Sequence, residues 1–151
     1  MRRLTILISV LVLIVAFASI TVAGSVPTPT EPPTGVTIIP VNEVKPLVAQ
    51  NNVQVFDMRK ALNYGKGHIA NAISLPYKWT SKGDPATRTG EFDLTKLPSD
   101  KGTTILFHSD GPNGWKSYYA SKKAVEAGYK NVLWMREGFA TWTESGYPVE
   151  Y

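Results

Sequence analysis

The 151-residue sequence contains no cysteine, and that absence removes a good deal of chemistry. Disulfides are excluded, so a domain outside the cytoplasm would be held together by packing alone. A lipidated N-terminal cysteine and a thiolate nucleophile are excluded as well. Histidine is scarce, His68 and His108 being the two in the chain, and without thiolates they leave no convincing donor set for a catalytic zinc ion. No metal and no cofactor are expected. Charged residues make up 19% of the chain, its net charge is +4 and its lysines are scattered, Lys122 and Lys123 being the one adjacent pair. That pattern does not build a nucleic-acid surface. What is present, 43% hydrophobic residues, suffices for one ordinary core and leaves no room for two full domains.

The chain opens with the basic Met1-Arg2-Arg3, continues almost without interruption as apolar sequence from Leu4 to Ile20, and reaches the small residues Thr21-Val22-Ala23 before Gly24. Residues 1–23 therefore read as an export signal cleaved near Ala23. If uncleaved, the same run approaches the roughly 18 to 20 residues that cross a bilayer and would serve as an anchor. Either outcome places the remainder in the periplasm or outside the cell, touching a membrane only through an uncleaved segment. Residues 24–36, rich in Pro and Gly, read as an extended, solvated tether. The folded domain is expected over residues 37–151.

Within it, "VTIIPV" (Val36 to Val41) and "VQVFDMR" (Val53 to Arg59) predict strands, separated by a helix carrying Val44, Leu47 and Val48. "AISLPY" and "TTILFH" predict two more, joined by a long polar connection of the kind that covers a site. From Lys116 to Ala127, Ser117, Ala120, Ser121, Ala124 and Ala127 recur at helical spacing, a face of small side chains able to approach a sheet closely, with Gly128 as the stop. "NVLWM" and a helix from Gly138 to Ser145 follow. Strands alternating with helices imply an α/β domain with a mainly parallel sheet. In such sheets ligands sit beyond the carboxyl ends of the strands.

"ILFHSDGPNGWKS", Ile105 to Ser117, occupies that position. Asp110-Gly111-Pro112 and Asn113-Gly114 are turn formers whose glycines let successive amides converge. Converging amides at a helix N-terminus attract anions, and Lys116 adds a full positive charge. The candidate anion site is thus Ser109, Asp110, Gly111, Asn113, Gly114, Trp115 and Lys116, with Asp110 turned away.

These segments carry a resemblance. "VFDMR", "GKGHIANAISLP", the loop and helix from Ser109 to Ala127, and "AGYKNVLWMREGFATWTESGYPVE" resemble, in order, the rhodanese-like family. The resemblance implies a three-layer α/β domain, a mainly parallel central sheet flanked by helices. It is nearest to exported members whose loop reads Cys-x-Gly-Pro-x-Cys-Trp-Lys/Arg-Ser. Here that pattern is "SDGPNGWKS", with Ser109 and Gly114 in place of the two cysteines. The family's first cysteine carries sulfur as a persulfide, which a serine hydroxyl cannot form. Two readings follow: a non-catalytic domain binding a small oxyanion or a protein partner in the old cradle, or a sulfurtransferase seen as a natural or engineered cysteine-to-serine variant.

A serine hydrolase is disfavoured, because His108 and Ser109 are neighbours on a strand and point to opposite faces. Asp57 and Arg59 match the family's Asp-x-Arg and are expected to support the loop by a salt bridge, with substrate contact the lesser alternative. Trp115 either walls the pocket or covers the core; Trp134 and Trp142 are core; His68 is structural.

Overall fold

The computed structural model describes residues 25–151; the expected export segment, residues 1–23, lies outside them. In chain order the elements are β1 (Val36–Ile38), α1 (Val41–Ala49), β2 (Gln54–Asp57), α2 (Ala61–Tyr64), β3 (His68–Ile69), β4 (Ile73–Ser74), β5 (Lys78–Trp79), β6 (Gly90–Glu91), β7 (Ile105–His108), α3 (Trp115–Glu126), β8 (Val132–Met135), α4 (Gly138–Glu144) and β9 (Val149–Glu150). No helix among the described residues is long and apolar enough to cross a membrane.

The central sheet has five strands in the order β1-β8-β7-β2-β4, and every pairing is parallel. Its middle strand, β7, is buried along its whole length, as expected of a parallel strand covered on both faces. On one side Phe56, Phe107 and Trp134 meet Ala120 and Ala124 of α3; on the other Val55, Leu106 and Met135 meet Val44 of α1 and Trp142 of α4. The small-residue face of α3 is what lets it lie close: Ser117, Ala120, Ser121 and Ala124 are all buried. Trp134 and Trp142 are 1% exposed each, and Gly128, at φ +92°, ends the helix in the left-handed conformation foreseen for it.

Strand bounds shrink relative to the sequence pattern. Val41 begins α1 instead of ending β1, and the run Ala72 to Tyr77 contributes only Ile73–Ser74 to the sheet. α1 starts after Pro40, whose side chain cannot cap, and the Glu137 carboxylate accepts the Val41 N–H at 2.6 Å instead. A carboxylate there satisfies an orphan donor and sits favourably at the positive end of the helix. The long polar connection contains the β5–β6 hairpin, whose connecting loop places Ala86 O 2.7 Å from the Tyr119 hydroxyl.

Candidate functional site

β7 ends at His108, and Ser109 lies at its carboxyl edge, 2% exposed. The loop from Ser109 to Gly114 then turns back to start α3. It is held from below by α4: the Phe139 and Ala140 N–H groups donate to Ser109 O and Asp110 O, both at 2.9 Å. Gly138, at φ +69°, makes this possible, since a Cβ there would stand 2.5 Å from the Gly111 nitrogen and 2.7 Å from the Asp110 carbonyl carbon. Only a glycine lets the two backbones come so near.

The loop closes on itself more tightly than its sequence suggests. The Gly114 N–H donates to Gly111 O at 2.7 Å and the Trp115 N–H to Asn113 O at 3.1 Å. Two of the amides expected to face an anion are therefore spent inside the loop, and the Gly111 nitrogen packs against Gly138. The N–H groups of Asp110, Asn113 and Lys116 have no acceptor among the described residues. A Cβ on Gly114 would lie 2.7 Å from Ser109 Cβ and 3.1 Å from its Oγ, so glycine at the second family position lets the loop seal over the serine. Asp110 is exposed.

Lys116 is half-buried in the first turn of α3. Burial is the main cause that pushes its ammonium below the ordinary 10.5, and the like charge of Lys60 adds to it, with Asp110 opposing. No carboxylate lies within ion-pair distance of Lys60 or Lys116 among the described residues.

Behind the loop is a buried charged cluster. Arg59 meets Asp57 through Nη2 at 2.6 Å and Nε at 2.9 Å, gives a third bond to Gly67 O at 2.7 Å, and stacks its guanidinium 3.9 Å from the Phe139 ring centre. Asp57 and Arg59 are 0% and 5% exposed. The pair ties β2 to the turn before β3. His108 completes the cluster: its Nδ1 lies 3.2 Å from Ser109 O, and since a carbonyl can only accept, Nδ1 carries the proton. Nε2 then presents a lone pair 3.8 Å from Asp57 Oδ2 and has no hydrogen-bond partner among the described residues. Burial drives this imidazole below its ordinary 6.5, the Asp57 carboxylate pulling the other way with less effect. With Nδ1 at the Ser109 carbonyl and Nε2 turned toward Asp57, the ring is not placed as a base for the Ser109 hydroxyl. His68 is structural too, stacked on Tyr64 at 3.8 Å and paired within the β3–β9 ribbon.

Trp115 covers the core and walls a groove at once. It is 7% exposed and lines, with Tyr118, Tyr119, Pro29 and Pro33, a groove of about 560 Å³ along α3. Two of those residues belong to the segment expected to be a solvated tether. That segment instead lies on the domain: Thr28 is 3% exposed, and its N–H and Oγ1 donate to Pro112 O at 2.9 and 2.7 Å. Sequence reasoning missed this because the contacts are polar, made by backbone atoms and by scattered side chains such as Thr28, Asn113, Trp115 and Arg136, and they leave no hydrophobic period.

A parallel central sheet with a glycine-rich loop between its central strand and the following helix, backed by the Asp-x-Arg pair, defines an α/β domain of the rhodanese type. The family model for the rhodanese-like domain matches residues 40–145, and the chain belongs to that family. It is 28% identical over 116 residues to the uncharacterized slr1261 protein of Synechocystis, covering 77% of this chain, and 25% identical over 103 residues to a sulfurtransferase of Allochromatium vinosum, covering 68% of this chain and 83% of that protein. The chain spans little more than half the length of such curated relatives as slr1261, 56% in that case. Among solved structures, the BH2092 protein of Bacillus halodurans superposes with a TM-score of 0.58 at 22% identity, covering 76% of each chain; at that identity the likeness concerns the fold.

Proposed function

We propose that this is an exported rhodanese-like domain that performs no sulfur transfer and binds a small oxyanion at the rim of the former active-site loop. The observation that carries the reading is Lys116: a half-buried cation beside Lys60 with no carboxylate partner, in the first turn of a helix, next to three amides without acceptors. An anion placed there relieves the repulsion, gains the helix-terminal field and satisfies donors. Together these amount to about 1 to 2 kcal/mol at low salt, which corresponds to very weak binding, with dissociation constants of about 30 to 200 mM. Asp110, exposed but near enough to act on the Lys116 ammonium, limits the affinity.

Composition and geometry both support inactivity. Ser109 forms no persulfide, and the loop has settled around Gly114 so closely that a second cysteine side chain would collide with Ser109 and with Gly111 O. This favours an adapted binding loop over an enzyme altered at one atom. The sulfurtransferase relative supports the ancestry of the loop and leaves its present use to experiment. Thiosulfate-to-cyanide sulfur transfer should be absent, and NMR titration with thiosulfate and phosphate at low ionic strength should move the amides of Asp110, Asn113 and Lys116, less so in Lys116→Ala. Turnover matching cysteine-containing relatives would overturn the first part. Unmoved amides, or equal shifts in both proteins, would overturn the second and leave a protein partner as the occupant. Export is read from residues 1–23 alone, and intact mass of protein from the native host tests it: a chain starting near Gly24 is expected, a full-length membrane-bound chain marks an anchor, and a full-length cytosolic one refutes export.

A further inference from the structure

The segment Ser25 to Pro29 is tied by polar contacts to the loop and to Arg136 beside it. The Thr28 N–H and Oγ1 both donate to Pro112 O. The Trp115 indole donates to Val26 O at 2.7 Å, and the Asn113 amide to Ser25 Oγ at 2.7 Å. Arg136, from the end of β8, donates through Nη2 to Thr28 O at 2.9 Å and through Nε to Pro29 O at 3.0 Å and Thr28 Oγ1 at 3.1 Å. Pro27 and Pro29 flank the one buried residue and keep the segment extended. Apolar burial contributes little, Val26 being 42% exposed. Elements held by surface hydrogen bonds with little apolar burial open at free energies well below global unfolding.

The contacts fall on the tip of the loop, Pro112 and Asn113, and on Trp115 at its far end. Ser109 itself is sealed by Gly114 from within the same loop. Opening the loop over Ser109 moves Gly114, and the strap pins the residues on both sides of it, Pro112 and Asn113 before it and Trp115 after it. We infer that Ser25–Pro29 is a latch on the loop: docked, it holds residues 109–114 closed over Ser109; undocked, it frees the tip and admits an occupant. The identity of that occupant rests on the oxyanion reading above, whereas the latch does not, so it is tested without any ligand.

Two measurements on the full chain do so. In native-state hydrogen exchange, the Thr28 amide, bonded to Pro112 O, should be protected in the parent and should lose about tenfold or more of that protection in Thr28→Val and in Arg136→Gln. In a Ser109→Cys background, the introduced thiol should react with a small aromatic disulfide reagent about tenfold faster when Thr28→Val is added. Thr28→Val changes one side chain of the strap outside the core clusters, which keeps the test usable if Arg136→Gln fails to fold. A Thr28 amide that exchanges at the free-peptide rate in the parent overturns the inference, and so does a thiol-labelling rate in the Ser109→Cys background that ignores the strap substitution.

Discussion

Acidification offers the sharpest test of the buried cluster. His108 is 0% exposed, carries its proton on Nδ1, and is held below its ordinary value of 6.5 chiefly by burial. The unfolded chain, where the ring titrates near 6.5, therefore takes up the second proton first. The stability associated with the neutral ring is complete above that value, falls as pH drops through it, and goes on falling down to the folded-state pKa. Between pH 7.5 and 5.5 the unfolding constant should rise on this account, the unfolded ring setting an upper bound of about tenfold, equivalent to about 1.4 kcal/mol. The assay is urea denaturation followed by tryptophan fluorescence at both pH values, on the parent and on His108→Phe, which keeps an aromatic ring against Phe139 and cannot titrate. Comparing the pH dependence of the two cancels His68 and the carboxylates. If both lose the same stability, His108 does not titrate as argued. If the parent gains on acidification relative to the variant, the ring is charged in the folded state and paired with Asp57, and the tautomer argument is wrong.

Removing one partner of the Asp57–Arg59 pair leaves a buried charge uncompensated, so Arg59→Met should cost about 3 to 5 kcal/mol in denaturant unfolding, and adding Asp57→Asn should recover part of that loss; a cost below about 1 kcal/mol would show that the pair does not support the loop. Gly138→Ala combines a left-handed residue with a Cβ forced into the Asp110–Gly111 backbone. It should cost about 2 to 4 kcal/mol by the same assay and loosen the Phe139 and Ala140 amides in hydrogen exchange; unchanged stability and protection would mean the loop accommodates the methyl freely.

Much of this arrangement is legible in the sequence where side chains carry the signal. The β-branched and aromatic run at β7, the small-residue face of α3 and the glycine that ends it all stand out by pattern, and Ser109 is placed at the strand end by that pattern together with the turn formers after it. The features that escape notice are those written in the backbone. The inward bonds of the Gly114 and Trp115 amides depend on loop closure, which many turn-forming sequences share. The docking of Ser25–Pro29 looks like a tether because proline-rich composition describes a stiff, extended chain without saying what it lies against. The two-residue ribbons β3–β9 and β5–β6 are too short to show a period.

The placement of β1 has a consequence for how the protein comes to be folded. Val36, near the start of the domain, pairs with Val132, near its end, and the strap ahead of it leans on Arg136. A chain synthesised or threaded across a membrane N-terminus first presents these segments long before their partners exist. The strands β4, β2 and β7 share one another's edges and can meet earlier, but β1 joins them only through β8. Until β8 has emerged, β1 is a loose strand with nothing to pair with. Such long-range closure slows folding and prolongs the exposure of unpaired edges. In this chain that exposed interval ends with the arrival of residues 132–136, which complete the sheet and receive the strap together.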